Sequence, residues 1–380
     1  MGRMITATMN AVVLTGHGGL DKLEILSDYP TPTAGPGEVL IEVRACGLNN
    51  TDIWVREGAY GTDENPDEVA SWRRGQPNSL TFPRIQGGDI AGYIVEVGPG
   101  VSRSRQGERV MVDFSLYNTE TESMAYIDYI GHGRDGGYAD YCVVPAENAY
   151  VVDNDLHETE LATFCCAYLT AEHMLDRVRV KKGETVVVTG ASGGVGSGLI
   201  QLCRARGAIP VAISSSGYEE RLTSVGAEAV LIRNSNSLSL QFESAMPGRS
   251  VDVVADLVGG ELFSDLINLL KPEGRYICAG AIAGPVVPLD LRTVYLKHLE
   301  LHGSSQGSRA AFSNLLGYIR TGKVQPLLDR VYALSQIHRA QQDFISKQFF
   351  GKLVVVPDRF YDVSKPQSTT EVLIREPVSN

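Results

Sequence analysis

The chain has 380 residues, 34 of them basic and 45 acidic, and its formal net charge of −11 disfavours nucleic acid as a partner. Hydrophobic residues make up 43% and charged residues 21%, which is typical of a globular protein. No apolar run is long enough to cross a membrane and no signal peptide opens the chain, so we expect no membrane association. The length predicts more than one domain.

The six cysteines show no paired spacing apart from the adjacent Cys165 and Cys166. Cys203 and Cys278 fall in apolar segments, where a free thiol behaves as a small hydrophobic group. This usage predicts a reduced, cytoplasmic protein without disulfides.

The N-terminal part of the chain predicts antiparallel β structure. Over residues 10–60, short apolar segments such as 11–14 and 39–43 are separated by turns rich in proline and glycine. Residues 61–82 and 115–134 are polar and turn-rich, and they predict two surface insertions that line the substrate pocket.

From about residue 155 the pattern changes to alternating helices and strands. This alternation is typical of a doubly wound parallel sheet. The predicted strands are 185–189, 210–214, 229–233, 251–256, 275–279 and finally 352–356. The predicted helices are 159–176, the segment after residue 193, 218–225, 261–270, 308–321 and 335–347.

A glycine-rich turn between the first of these strands and its helix predicts a dinucleotide site. The turn follows the β-branched run 185–189 and fits the pattern G-x-G-x-x-G, with Ala191 at the first glycine position. Glycine lets the backbone approach a pyrophosphate, which binds the N–H groups at the helix start. The predicted contacts are Ala191, Ser192, Gly193, Gly194, Val195 and Gly196.

Several segments, taken in order, resemble the medium-chain dehydrogenase/reductase superfamily. They are 48–52, 87–92, 107–110, 190–197, 254–260 and 351–354. The resemblance implies an α/β protein in which a GroES-like β-rich catalytic domain joins a Rossmann domain. It places the catalytic domain at 1–155, completed by 320–360, and the Rossmann domain at 156–319. A polar tail follows at 361–380.

The resemblance also indicates that a catalytic zinc is absent. Zinc-dependent members have a ligand cysteine where this chain has Asn49, and a ligand histidine where it has Gly88. Only Cys166 falls at the position of the third ligand. Because catalytic zinc needs three nitrogen, sulfur or carboxylate ligands, we expect no metal. The segment 49–60 is similar to that of the zinc-free quinone oxidoreductases and enoyl reductases.

Chemistry without zinc favours an activated C=C bond or a quinone as the acceptor of hydride. Charge then collects on an oxygen that hydrogen-bond donors can hold. The candidate catalytic residues are Tyr60, Asn49 and Thr170, although Tyr60 has the alternative role of packing over the pocket mouth. Two other functions stay open, an alcohol or aldehyde dehydrogenase and a nucleotide-binding protein without turnover.

The loop after the second Rossmann strand predicts NADPH as the cofactor. Where NAD enzymes place a carboxylate for the ribose hydroxyls, this chain has Ser214 and Ser215. Serine hydroxyls accept a 2′-phosphate, which a carboxylate would repel. Related NADPH enzymes often have a lysine at Tyr218. The resemblance implies that Arg233 contacts the 2′-phosphate, and Arg221 is the second candidate for this contact.

The remaining expectations concern the nicotinamide and the assembly. We expect the ring at the carboxyl ends of the Rossmann strands, on the side of the β-rich domain. Its predicted neighbours are Gly280, Ile282, Ser304 and Ser305. The resemblance further implies a homodimer formed through the Rossmann domains, in which the apolar segment 299–303 pairs across a two-fold axis.

Overall fold

The computed structural model describes residues 5–60, 80–117, 124, 127–233 and 235–362. They form two compact units, and the chain passes between them at Cys166/Ala167 and again at Gln325/Pro326. The sequence placed these boundaries at 155/156 and 319/320. The first boundary falls later because the short helix Glu158–Leu161 packs against strands of the first unit.

The strands of the described residues are mostly short, and we number them in chain order. They are β1 (Thr8–Leu14), β2 (Leu23–Pro30), β3 (Glu38–Gly47), β4 (Arg84–Ile85), β5 (Asp89–Val97), β6 (Arg109–Val112), β7 (Ser115–Leu116), β8 (Asp128–Tyr129), β9 (Tyr141–Pro145), β10 (Ala149–Val151), β11 (Thr185–Val188), β12 (Ile209–Ser214), β13 (Ala229–Ile232), β14 (Val251–Asp256), β15 (Leu270–Cys278), β16 (Glu300–Gly303), β17 (Leu328–Ala333) and β18 (Lys352–Val356).

The α-helices of the same described residues are numbered in the same way. They are α1 (Asn50–Glu57), α2 (Glu158–Leu161), α3 (Cys165–Arg177), α4 (Gly194–Ala205), α5 (Glu219–Ser224), α6 (Leu238–Ala245), α7 (Phe263–Leu269), α8 (Leu291–Leu296), α9 (Arg309–Arg320) and α10 (Ile337–Ser346). None of them is long and apolar enough to span a membrane.

The first unit is built mainly from antiparallel strands. Its largest sheet has the order β10-β6-β5-β3-β18-β17, and β9 also pairs with β3. The last strand, β18, lies against the end of β3, where Val354 faces Gly47 and Val355 faces Cys46. The C-terminal segment therefore completes a sheet that the N-terminal segment begins.

The second unit contains a six-stranded parallel sheet in the order β13-β12-β11-β14-β15-β16. The strand order reverses between β11 and β14, which is the position where doubly wound sheets bind ligands. The central strands are buried on both faces, as their continuous β-branched runs require. The predicted fold class is confirmed for both units.

Two predicted elements differ from the structure. Residues 50–57 form α1 instead of a β segment, because Asn49 and Asp52 cap its start and Gly58 ends it with a φ of 73°. The predicted helix 159–176 is interrupted between α2 and α3. There the Thr163 hydroxyl donates to the Glu160 carbonyl at 2.7 Å, as threonine side chains that compete with the helix do.

The sequence missed α6 and α8, whose short apolar patterns have no strong period. The predicted apolar edge segment 299–303 contains β16. The predicted insertion at 61–82 lies outside the described residues up to position 79. Within the second insertion, residues 118–123, 125 and 126 also lie outside the described residues, and its two sides form the pair β7–β8. The tail lies outside them from residue 363 onward.

The segment from residue 282 to 301 in the second unit carries a cluster of exposed apolar side chains. Val286 is 91% exposed, Leu296 70% and Tyr295 60%. This segment leads into β16, which pairs with β15 and with no other described strand. Monomeric proteins rarely leave such an apolar patch beside an open sheet edge, so we propose that a second copy of the chain covers it.

We therefore expect light scattering at micromolar concentration to give twice the chain mass of 41.1 kDa. Leu301→Lys, which puts a charge on the edge strand, should shift the protein toward the monomer. Leu240→Lys is the matched control, because Leu240 is 63% exposed but lies on α6. A monomeric wild-type protein would exclude the dimer.

Candidate active site

The glycine-rich turn lies directly after β11, at the point where the strand order of the second unit reverses. Gly190 has a φ of 58°, and Gly193 begins α4 in an extended conformation. A Cβ on Gly196 would lie 2.3 Å from the Gly190 carbonyl oxygen, so only glycine fits there. The Ser197 N–H bonds the Gly193 carbonyl at 2.9 Å, and the preceding N–H groups of α4 stay available to an anion.

A buried carboxylate holds the strand ends beside this turn. Asp256, at the end of β14, is fully buried and accepts hydrogen bonds from the Thr189 hydroxyl at 2.5 Å and the Tyr276 hydroxyl at 2.6 Å. The Val258 N–H also donates to it at 2.9 Å. Burial, followed by the Asp256 charge, raises the pKa of Tyr276, which stays a hydrogen-bond donor. The network fixes the ends of β11, β14 and β15 relative to one another.

The other predicted cofactor residues lie at the same edge of the sheet. Parallel strands bring their carboxyl ends together, and each of these residues belongs to such an end or to the loop after it. Ser214 ends β12, Arg233 follows β13, Gly280 follows β15, and Ser304 follows β16. The loops that follow these strands also contain Ser215, Tyr218, Ile282 and Ser305. Tyr218 is the N-cap residue of α5.

The loop after β12 contains hydrogen bonds that the sequence did not indicate. The buried Ser214 hydroxyl donates to the Ser215 carbonyl at 2.9 Å, so its proton is already used. The Arg233 N–H donates to the Ser214 carbonyl at 2.8 Å, which places Arg233 beside the strand end. The Arg233 side chain is exposed and pairs with no described carboxylate. Glu219, which the sequence analysis missed, accepts from the Gly217 N–H at 2.6 Å.

Ser304 supplies an independent sign that this edge binds a ligand. Its N–H bonds the Cys278 carbonyl at 2.9 Å, whereas its hydroxyl oxygen is buried and has no hydrogen-bond partner among the described residues. A buried hydroxyl without a partner is costly unless a ligand satisfies it. The close-packed turn and this hydroxyl together fit the pyrophosphate and the nicotinamide end of a dinucleotide.

The first unit contains a buried lysine that sequence reasoning missed. The Lys352 side chain, at the start of β18, is 3% exposed and donates to the Leu48 carbonyl at 2.7 Å. It also donates to Asn49 Oδ1 at 2.6 Å and to Asp89 Oδ2 at 2.8 Å. Burial alone would lower the pKa of Lys352, but Asp89 and other negative groups raise it above its ordinary value. The ammonium group is therefore charged and fully hydrogen-bonded.

Asp89 receives a second hydrogen bond at its other oxygen. The Cys166 N–H donates to Asp89 Oδ1 at 2.6 Å, and the Asp89 side chain is fully buried. Asn49 and Cys166, which the zinc comparison singled out, are thus linked through Asp89 and the Lys352 ammonium group. No cluster of three or more His, Cys, Asp or Glu side chains suited to a metal occurs in the described parts of the chain.

A second buried carboxylate lies one helical turn beyond Asn49. Asp52 accepts from the Asn49 N–H and from the Tyr138 hydroxyl, both at 2.8 Å to Oδ2. Burial raises the pKa of Asp52 to about 6, although these two hydrogen bonds oppose the shift. The interaction fixes the backbone of Asn49 at the start of α1.

The predicted catalytic residues are not all neighbours. Tyr60 lies beyond the end of α1, and its ring packs edge-to-face on Trp54 with centroids 5.6 Å apart. Asn49 lies at the opposite end of this eight-residue helix, about 12 Å away along its axis. Thr170 lies on α3 in the second unit and is 8% exposed. Thr51, which was not predicted, shares a 2.5 Å hydrogen bond with the Tyr129 hydroxyl.

The comparisons with known proteins decide the family. Residues 35–154 match the model of the alcohol dehydrogenase GroES-like domain, and residues 225–355 match that of the zinc-binding dehydrogenases. A crystal structure from Sinorhizobium meliloti 1021, provisionally described as an alcohol dehydrogenase, is 63% identical with a TM-score of 0.89. The match covers 93% of this chain and 98% of that one. The chain belongs to the medium-chain dehydrogenase/reductase superfamily.

Two further relatives of this superfamily differ in chemistry. A cobalt- and zinc-bound thermostable alcohol dehydrogenase from Pyrobaculum aerophilum is 32% identical, with a TM-score of 0.78 over 92% of this chain and 99% of that one. The quinone oxidoreductase of Rattus norvegicus is 26% identical over 92% of this chain and 98% of its own length. The family assignment confirms an NAD(P)H-dependent oxidoreductase.

The environment of Asp52 predicts a specific pH dependence of stability. Because its pKa is raised from 3.8 to about 6 by folding, it contributes most below pH 4 and loses that contribution as the pH rises through 6. The free energy of unfolding of wild type relative to Asp52→Asn should therefore fall by about 2–3 kcal/mol between pH 4 and 7. Urea unfolding of both proteins measures it, and a constant difference would contradict the raised pKa.

Proposed function

We propose that the protein is an NADPH-dependent, zinc-independent reductase. It transfers hydride to an activated C=C bond, of an enone or an enoyl thioester, or to a quinone. The observation that carries the proposal is the Lys352 ammonium group, which bonds Asn49 Oδ1 and Asp89 Oδ2 beside Cys166. A buried cation in this position opposes a second cation, and the amide of Asn49 is a poor zinc ligand.

The reaction needs a hydride donor and a group that stabilises negative charge on the substrate oxygen. The nicotinamide cofactor supplies the hydride when bound at the carboxyl ends of the parallel strands. As hydride reaches the β-carbon, the electron pair of the C=C bond moves onto the carbonyl oxygen. A proton from water or a hydroxyl group then adds to the α-carbon, so that the product gains one hydride and one proton.

The residues of the chain have separate roles in this scheme. The Asn49 amide donates a hydrogen bond to the oxygen on which charge develops, as backbone and amide donors do in oxyanion sites. Tyr60 donates to the same oxygen or lines the pocket beside Trp54. Thr170 contributes a hydroxyl near the position that zinc occupies in the zinc-dependent members of the superfamily. The buried Ser304 hydroxyl, which has no partner among the described residues, forms a hydrogen bond with the nicotinamide end of the cofactor.

A panel of acceptors tests the reaction class. Purified protein is incubated with NADPH and enones, enoyl thioesters, quinones or aldehydes, and with NADP⁺ and alcohols. Turnover of the first three classes supports the proposal, while turnover confined to aldehydes and alcohols supports the dehydrogenase alternative. Cofactor binding without turnover on any acceptor would leave a nucleotide-binding protein and refute the reductase.

Tyr60→Phe separates the two roles of Tyr60. If the hydroxyl donates to the substrate oxygen, this change should lower kcat by roughly 10- to 1000-fold and leave NADPH affinity unchanged. The ring and its contact with Trp54 remain in the variant, so a pocket-wall role predicts nearly wild-type kcat. The assay uses an acceptor from the panel, and Tyr29→Phe, which removes the hydroxyl of a half-buried tyrosine on β2, is the control.

The preference for NADPH is supported by the exposed Arg233 beside Ser214. A charge-assisted contact of Arg233 with the 2′-phosphate is worth about 1.5–3 kcal/mol, so Arg233→Ala should weaken NADPH binding roughly 10- to 150-fold. NADH binding should barely change. Arg249→Ala is the control, because Arg249 is also exposed in the second unit. Fluorescence titration that gives equal wild-type affinities for the two cofactors would rule out the preference.

Zinc independence has a direct measurement. After dialysis against a chelator, elemental analysis of the purified protein should find far less than one zinc per chain. The reductase activity should survive the dialysis, since Lys352 and Asn49 leave no complete ligand set among the described residues. One firmly retained zinc per chain, or activity that returns only on adding zinc, would contradict this part of the proposal.

A further inference from the structure

The Lys352 ammonium group cannot itself contact a substrate. Its three N–H donors are used by the Leu48 carbonyl, Asn49 Oδ1 and Asp89 Oδ2, all between 2.6 and 2.8 Å. The side chain is 3% exposed, and an ammonium group has no fourth donor. Any effect of Lys352 on the reaction must therefore pass through one of the groups that it holds.

Asn49 is the group through which such an effect can pass. Its backbone is fixed by the hydrogen bond from its N–H to Asp52, and the neighbouring Leu48 N–H bonds the Leu353 carbonyl at 2.9 Å. Its Oδ1 is held by Lys352, while its Nδ2 donates to no described residue. The amide therefore presents its N–H donors away from the lysine.

The opposite orientation of the amide would be wrong for the reaction. Rotating it by 180° would direct Nδ2 at the ammonium group, donor against donor, and would turn the oxygen lone pairs outward. An outward oxygen would repel the negative charge that develops on the substrate. Lys352 thus selects the amide orientation that stabilises this charge, and its positive charge polarises the amide in the same direction.

We infer that Lys352 is a positioning residue for the hydride transfer, acting through Asn49, and that Asp89 serves to neutralise it. The inference rests on the proposed function, because it gives Asn49 the role of donor to the substrate oxygen. Asp89 also fixes the position of the Lys352 ammonium group, because the other oxygen of Asp89 accepts a hydrogen bond from the Cys166 N–H. The Lys352 ammonium group therefore does not contact the substrate but orients the neutral Asn49 amide that does.

A double-mutant cycle tests this role. Lys352→Met leaves Asp89 as a buried unpaired charge, so it is combined with Asp89→Asn, which keeps the acceptor for Cys166. The pair is introduced into wild type and into Asn49→Ala. In wild type we expect kcat to fall about 10- to 100-fold with cofactor Kd nearly unchanged. In Asn49→Ala the same pair should change kcat by less than about 3-fold, because the group it acts through is gone.

One control and one replacement variant keep the result interpretable. Lys347→Met removes a lysine that donates to Asn50 Oδ1 at 2.7 Å, next to Asn49 but on the surface, and kcat should stay at its wild-type value. If the Lys352→Met/Asp89→Asn pair does not fold, Lys352→Arg replaces it. Arginine keeps the charge beside Asp89 but cannot reproduce the compact geometry of the ammonium group.

The outcomes separate the inference from the proposed function. Equal loss of kcat in the wild-type and Asn49→Ala backgrounds would show a merely structural role for Lys352 and overturn the inference, while the reductase assignment stands. A wild-type protein without turnover on any activated C=C bond or quinone would overturn the proposed function, and the catalytic role of Lys352 with it. Loss confined to the background that retains Asn49 supports both.

Discussion

The buried ion pair of Lys352 and Asp89 is the interaction on which the first unit depends. It joins the start of β18 to the start of β5, and through Asn49 and Leu48 it reaches the junction of β3 and α1. Two buried charges are stable only when each finds its partners, and in this pair all three ammonium donors and both carboxylate oxygens have hydrogen-bond partners. Removing either partner alone would leave a buried charge and cost about 3–5 kcal/mol.

The second unit relies on a different device for the same purpose. There Asp256 ties the ends of three parallel strands together through neutral donors, the hydroxyls of Thr189 and Tyr276 and the N–H of Val258. Because no cation neutralises it within these contacts, its charge is supported by dipoles.

Local patterns predicted the fold well, and long-range contacts explain what they missed. The strands at 251–256 and 352–356 were predicted with the observed bounds, because a strand buried on both faces has a continuous apolar run in its sequence. The glycine turn followed from spacing alone. Lys352 was visible only as a motif residue, since its bond to Asn49 spans 303 positions and leaves no periodic signal. The cap formed by Asn49 and Asp52 was present in the sequence, but the apolar pattern around it favoured β structure.

The insertion of the second unit between two parts of the first has a consequence for biosynthesis. Lys352 bonds Leu48 across 304 positions, so nearly the whole chain must leave the ribosome before this contact exists. Until then β3 lacks its neighbour β18, and Asp89 has no cation beside it. The second unit, whose described residues lie in the one stretch Ala167–Gln325, can fold during translation while the first waits for its last strand. Truncated products would thus expose an open strand edge and an unneutralised carboxylate, features that cellular proteolysis can act on.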